Sequence, residues 1–288
     1  MQPPPATPYL WMLCGSFAFA WMSSLAHLLN GTCDWRLIAL ARSALALVFA
    51  AALAWAAGAR LVLWRPRILW VRSVAGSVSL VCTFYALGRL PPHIVLTLTN
   101  TFPLWVAVLS WPLLGERPSA AVWLAALTGV AGVALIQAQL RQADFPIDYF
   151  AVALALLASV TTAVAMLGLH RLQGLDTRAI VVHFSGVAAL ACLGTLFLGE
   201  PADIRPLADG RTAGLLLAVG ATATVGQLFL TKAFAAGPPA RVSVVGLTQV
   251  VFALGLYLLL ERPAFHPATL VGIALVMAPT AWVMALRG

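Results

Sequence analysis

Ten predominantly apolar stretches of about 20 residues follow one another along the chain, at 8–28, 35–57, 68–88, 93–114, 119–138, 148–170, 178–198, 212–234, 239–260 and 265–286. A helix rises about 1.5 Å per residue, so each stretch is long enough to cross about 30 Å of hydrocarbon. In a bilayer every backbone N–H has to find an acceptor inside the protein, which leaves helices and closed barrels as spanning forms. The stretches lack the apolar/polar alternation of barrel strands. The pattern therefore predicts an all-α integral membrane protein with ten transmembrane helices. The composition agrees: 62% of residues are hydrophobic and 9% charged, far from the balance of a soluble domain.

A net charge of +8 and an isoelectric point near 10.2 would point to nucleic acid in a soluble protein, but here the charges sort by side. With the N-terminus placed in the cytoplasm, Arg60, Arg65, Arg67, Arg72, Arg117, Arg171, Arg178, Lys232, Arg241 and Arg287 fall on the inner side, opposed by Glu116 and Asp176. Arg36, Arg42, Arg89, Arg141, Arg205, Arg211 and Arg262 fall on the outer side with Asp34, Asp144, Asp148, Glu200, Asp203, Asp209 and Glu261. The excess of inner cations is the positive-inside signature of a plasma (inner) membrane protein with both termini cytoplasmic. Arg60, Arg65, Arg67 and Arg72 read as anchors for anionic lipid headgroups. The N-terminal stretch has no basic leader and a full-length apolar block, so it reads as a first helix, with Tyr9 and Trp11 in the interfacial belt. Cys14, Cys82 and Cys192 lie within helices and Cys33 in an outer loop, a spacing that predicts neither a disulfide nor a metal site.

The second half of the chain repeats the first. A shift of 147 places Ala86, Pro91 and Pro92 on Ala233, Pro238 and Pro239, and Thr101 on Thr248; a two-residue gap then aligns LLGERP at 113–118 with LLLERP at 258–263. Each copy holds five helices, and an odd number forces the second copy to enter the membrane upside down. The expected organisation is two inverted five-helix repeats, 1–140 and 141–288, with a substrate site near the midplane between them and alternating access by rocking one half against the other. Duplication that merely builds a stable scaffold, or a sensor, is the alternative from another class.

The segment FYALGRLPPHIVLTLTNTFPLWVAVLSWPLLGERPS, followed by a glycine-rich helix, resembles the EamA type of the drug/metabolite transporter superfamily, and KAFAAGPPARVSVVGLTQVVFALGLYLLLERP resembles the same pattern. The resemblance covers essentially the whole chain. It implies a non-enzymatic exporter of ten helices with cytoplasmic termini, moving amino acids, aromatic and neutral ones among them, or other metabolites. Drugs and nucleotide-related compounds are the alternative cargoes. Pro103 sits where the family's fourth helix usually has a proline, whereas the ninth has Val250, a departure that argues against a symmetric pair of kinks.

Polar groups within spans mark packing seams or a cavity. At 100° per residue, Thr97, Asn100, Leu104 and Trp111 share one face of the fourth helix; Gly220, Thr224, Gln227 and Thr231 one face of the eighth; Gly246, Gln249, Ala253 and Tyr257 one side of the ninth. Ser16, Ser23 and His27, then Ser73, Ser77 and Phe84, and Ser159, Thr162 and His170, make seams on the first, third and sixth. The carboxamides of Asn100, Gln227 and Gln249 are the foremost candidates for substrate contact, since neighbouring helices seldom satisfy all four hydrogen-bonding sites. Arg42 and Lys232 either snorkel to the interface or meet a substrate carboxylate, with Phe84, Trp105, Trp111 and Tyr257 as apolar walls. His183 is the one deeply placed titratable group, as packing residue or ligand contact. All acids sit in loops or at helix ends, so facilitated diffusion or exchange is expected rather than a carboxylate proton relay. Gly129, Gly132 and Gly272 offer surfaces for packing or weak dimerisation, but a monomer contains both halves. Beyond a small-molecule substrate and lipid, no cofactor or nucleic-acid partner is implied.

Overall fold

The computed structural model describes residues 6–29, 31–139, 148–197, 202–261 and 266–286. Arg141, Asp144, Glu200, Arg262 and Arg287, the boundary at 140/141 and the tail of the second ERP motif lie outside the described residues. The chain forms α1 (Thr7–His27), α2 (Trp35–Ala56), α3 (Arg67–Leu87), α4 (Pro92–Thr99), α5 (Phe102–Leu114), α6 (Ala120–Gln139), α7 (Tyr149–His170), α8 (Thr177–Thr195), α9 (Gly210–Ala236), α10 (Pro239–Gly246), α11 (Thr248–Glu261) and α12 (Ala268–Ala285). Counting α4 with α5 and α10 with α11, ten segments are long and apolar enough to cross a membrane. An even number of spans puts both termini on one face, called the terminal face below. Large apolar side chains such as Leu190 and Leu270 stand exposed along the spans, as a lipid solvent requires.

The acids at span ends serve as helix caps. Asp34, Asp148, Asp176 and Asp209 each accept hydrogen bonds from first-turn amides of α2, α7, α8 and α9, where the helix dipole also favours negative charge. Asp34-x-Arg36 opens α2 at the face opposite the termini, and Asp176-x-Arg178 opens its counterpart α8 at the terminal face. The same local device thus recurs on opposite sides, as inversion of the repeat demands.

The fourth and ninth spans are both broken, at Asn100–Thr101 and at Leu247, positions related by the 147-residue shift. Pro103 explains the first break, because it has no N–H for the Thr99 carbonyl. No proline attends the second, so the expectation of unequal kinks drawn from Val250 is corrected. What the two breaks share is a threonine: Thr101 Oγ1 donates to the Leu98 carbonyl at 2.6 Å and Thr248 Oγ1 to the Val245 carbonyl at 2.7 Å. A hydroxyl satisfying a carbonyl within the preceding turn replaces an amide there and bends the helix. Ser16 of α1 donates to the carbonyl of Gly246, the last residue of α10, at 3.4 Å.

Packing interlocks the two halves. The closest helix pairs are α1 with α9, α3 with α7, α2 with α8 and α6 with α12, and each joins a helix of the first half to one of the second. α11 also lies on α1, and α5 on α7. The bundle is therefore organised as α1, α9 and α10–α11 on one side and α7, α3 and α4–α5 on the other, related by the repeat, which does not suit rocking of residues 1–140 as one block. Glycines set the closeness: a Cβ on Gly132 would lie 2.7 Å from the Gly272 carbonyl oxygen, and one on Gly220 2.4 Å from Leu45 Cβ.

At the terminal face one apolar cluster unites both groups, with Tyr9, Leu69, Val106, Leu169, Ile180, Phe234 and Val242 among its members. At the opposite face the described residues form two apolar clusters. Ala86, Leu90, Val95 and Ala151 pack among α3, α4 and α7, while Leu29, Ile38, Leu216 and Val219 pack among α1, α2 and α9.

Candidate functional site

A narrow cavity lies near mid-depth between α2, α8 and α9, lined by Arg42, Ser43 and Ala46, by Phe184, Ser185 and Ala188, and by Ala223 and Gln227, with room for about one water molecule. Arg42 is seven residues into α2, about 10 Å along the helix. Its Nε contacts Met22 Sδ of α1 at 3.1 Å. Ser43 turns its hydroxyl back to the Ala39 carbonyl, and the Ser185 hydroxyl, though buried, has no hydrogen-bond partner among the described residues. Gln227 reaches the cavity because Gly220, two turns earlier on α9, lets that helix close on Leu45 of α2. Arg42 and Gln227 are the two candidate residues that the structure brings together.

The other candidates are placed elsewhere. Asn100 spends its Nδ2 on the Leu96 carbonyl at 2.7 Å beside the α4–α5 break, and Thr97 turns back to His93. Gln249 is half-buried in the first turn of α11. Phe84 packs against the apolar clusters among α2, α3, α8 and α9, next to the cavity but outside its lining. Tyr257 lies against the cluster shared by α6, α11 and α12. Trp105 and Trp111 are exposed on α5, and the Arg117 guanidinium covers the Trp111 ring at 4.6 Å. Lys232 is exposed with its ammonium 5.8 Å from the Trp11 ring, the snorkelling placement. His183 is buried and satisfied on both sides: Nδ1 lies 2.8 Å from Ser73 Oγ and Nε2 3.1 Å from the Leu63 carbonyl. Since a carbonyl only accepts, Nε2 carries the proton and Ser73 donates to Nδ1, with Trp70 edge-on at 4.7 Å. This histidine latches α8 to α3. Most serine and threonine hydroxyls of the seams, Thr224 and Thr231 among them, bond their own helix one turn back.

One residue moves from the lipid surface to the interior. Arg60, Arg65 and Arg67 are exposed, but Arg72 is 1% exposed, and none of its Nε, Nη1 and Nη2 has a hydrogen-bond partner among the described residues. Its guanidinium carbon stands 3.9 Å from the centre of the Phe184 ring, a wall of the cavity. Helical side chains ordinarily lean toward the N-terminus, which for α3 means toward the terminal face and its headgroups. Arg72 leans the other way, over Gly76, where a Cβ would meet Nη1 at 2.6 Å and Phe184 Cε2 at 2.8 Å; on α7, a Cβ at Gly168 would lie 3.1 Å from Arg72 Cβ. The sequence did hold a signal, because Gly76 and Ser79 follow Arg72 at i+4 and i+7, so a small-residue face runs inward from it. Ser79 does face the neighbour, 2.6 Å from Thr162 of α7.

Among the described residues no group of acids, histidines or cysteines is arranged to hold a metal ion. What the arrangement offers is a membrane-buried cation beside amide and hydroxyl groups, suited to holding a carboxylate without chemical change.

Known proteins share this fold. A solved structure matches with a TM-score of 0.83 over 98% of both chains at 20% identity, which establishes a common fold. The pseudopaline exporter CntI of Pseudomonas aeruginosa is 32% identical over 241 residues, 83% of this chain and 82% of its own. An uncharacterized transporter of Helicobacter pylori is 25% identical over 65% of this chain and 63% of its own. The sequence pattern of the EamA-like transporter family matches twice, at residues 6–138 and 148–285. The chain is a multi-pass membrane transporter, not an enzyme, and it belongs to the EamA-like transporter family.

Proposed function

We propose that the protein exports small amphiphilic metabolites of amino-acid type across the inner membrane by alternating access, with Arg42 holding a substrate carboxylate and Gln227 and Ser185 contacting the rest of the polar head. The observation that carries this is the Arg42 guanidinium lining a cavity in which no acid among the described residues neutralises it. A charge-assisted hydrogen bond to such a group contributes about 1.5–3 kcal/mol, enough to orient a small ligand. The relative that exports pseudopaline supports the outward direction. Cationic drugs are disfavoured by the same cation. The groups α1, α9, α10–α11 and α7, α3, α4–α5 would tilt about the broken spans, with termini cytoplasmic and a monomer as the working unit. The described acids sit in loops or at helix ends, so exchange down a substrate gradient fits better than proton coupling.

Reconstitution into liposomes and counterflow with a panel of amino acids, purines and cationic drugs tests the reading. Arg42→Gln should weaken apparent affinity about tenfold or more, while Lys232→Gln, Asn100→Ala and Gln249→Ala leave it within about twofold of wild type. Normal counterflow by Arg42→Gln sinks the assignment, and uphill export driven by a pH gradient alone sinks exchange.

A further inference from the structure

The cavity accounts for Arg42 but not for Arg72. A guanidinium is always charged and carries five N–H donors. Burying one without hydrogen bonds is strongly unfavourable unless something else supplies an anion. Among the described residues neither Arg72 nor Arg42 has an acidic partner, and the acids lie in loops or at helix ends. A charge there purely for packing could snorkel to the terminal face, only five residues away along α3. Gly76 and Gly168 instead cut a channel that turns Arg72 inward. Its head is held on the face of Phe184, whose ring quadrupole is a weak substitute for an anion. Phe184 and the unpartnered Ser185 both line the cavity that holds Arg42. One aromatic ring therefore separates the second cation from the cavity of the first.

We propose that Arg42 and Arg72 are the two halves of a site for a dicarboxylate ligand, one carboxylate on each guanidinium, with Phe184 turning aside to admit the second carboxylate and Ser185 donating to it. This rests on the cavity being the substrate path, and it narrows the substrate class from amino-acid-like solutes with one carboxylate to compounds with two. The narrow cavity is then the unloaded form, in which Phe184 covers Arg72.

The test is binding to the purified full chain in nanodiscs, by calorimetry and thermal melting. The probes are butyrate, the dicarboxylates malonate, succinate, glutarate and adipate, and chloride and inorganic phosphate. At least one dicarboxylate should bind tenfold or more tighter than butyrate and raise the melting midpoint. Arg72→Met should bring that dicarboxylate down to the butyrate level, leave butyrate unchanged, and melt no lower than wild type without ligand, because it removes an unpartnered charge. Gly76→Ala, which crowds the guanidinium while keeping it, should weaken dicarboxylate binding alone and serves if Arg72→Met does not fold. Equal binding of butyrate and every dicarboxylate overturns the proposal. So does chloride or phosphate binding as tightly as the best dicarboxylate, or a retained dicarboxylate preference in Arg72→Met or Gly76→Ala. Counterflow by the same variants in liposomes separates the two readings. Amino-acid counterflow in a protein that binds dicarboxylates no tighter than butyrate rejects the dicarboxylate site and keeps the exporter; dicarboxylate binding that needs both arginines without counterflow of any solute does the reverse.

Discussion

Replacing His183 by phenylalanine should destabilise the protein by about 2–4 kcal/mol while leaving substrate affinity and the pH profile of transport unchanged. Phenylalanine keeps an aromatic ring edge-on to Trp70, though a somewhat larger one in the same space. What disappears is a pair of hydrogen bonds, from Nε2 to the Leu63 carbonyl at 3.1 Å and from Ser73 Oγ to Nδ1 at 2.8 Å. Stranding a buried polar group costs about 1–3 kcal/mol. The lower part of that range applies, since Leu63 lies in an exposed loop and Ser73 can turn to its own helix, as Ser77 already does toward the Ser73 carbonyl. A cycle with Ser73→Ala should return a coupling of about 0.5–1.5 kcal/mol for that bond. Equilibrium unfolding in mixed micelles measures the stability, and counterflow between pH 5.5 and 8 measures function. A His183→Phe protein with wild-type stability but an altered pH profile would refute the latch and return the histidine to the transport path.

Gly132→Ala puts a methyl group 2.7 Å from the Gly272 carbonyl oxygen, which cannot retreat without moving α12; overpacking of about 1–3 kcal/mol, less up to about 1 kcal/mol of helix propensity, should lower the unfolding midpoint. Thr101→Val and Thr248→Val each remove a hydroxyl bond at a helix break, and about 0.6–2 kcal/mol of stability should go with each in the same unfolding assay. Asp209 accepts from the backbone N–H and the hydroxyl of Thr212, and these bonds hold its carboxyl below the ordinary carboxylate range. Its cap is therefore present above the unfolded carboxyl's pKa of about 4 and is lost as pH falls through the lower folded value. Amide exchange at Thr212 should rise in that acid window, and Asp209→Asn, which caps without titrating, should remove the dependence.

Span number and the inverted repeat were legible because the bilayer imposes one length on every segment and an odd count per repeat forces inversion. The two breaks were half legible. Pro103 announces the first, whereas the second depends on Thr248 and Gly246, residues that also occur in unbroken helices. Helical phase selected Gln227, and phase with Gly220 was a physical reason for it, since the glycine decides how near α2 can come. The same method also chose Trp111, which lies near the end of a span where a side chain can leave the bundle. Arg72 was misassigned for the converse reason. Its distance from the membrane face permits snorkelling, and only the side-chain direction, fixed by contact with Gly76 and Phe184 on two helices, excludes it.

That direction bears on how transport would be coupled. In alternating access the terminal-face cluster joining Tyr9, Leu69, Val106 and Phe234 has to hold in one state and part in the other. The intermediate between these states is occluded on both sides, so water is least able to solvate the site there. On the proposed two-cation site, an empty carrier would enter that intermediate with Arg42 and Arg72 both unneutralised, whereas a carrier holding a dicarboxylate would enter it with charges matched. Ligand affinity would then be highest in the occluded state, the condition for a ligand to speed the crossing rather than merely bind. Return of the empty carrier would be the slow step, and exchange of one substrate for another would outrun net efflux. A protein in which net efflux is as fast as exchange would show that the buried cations are neutralised by something other than the cargo.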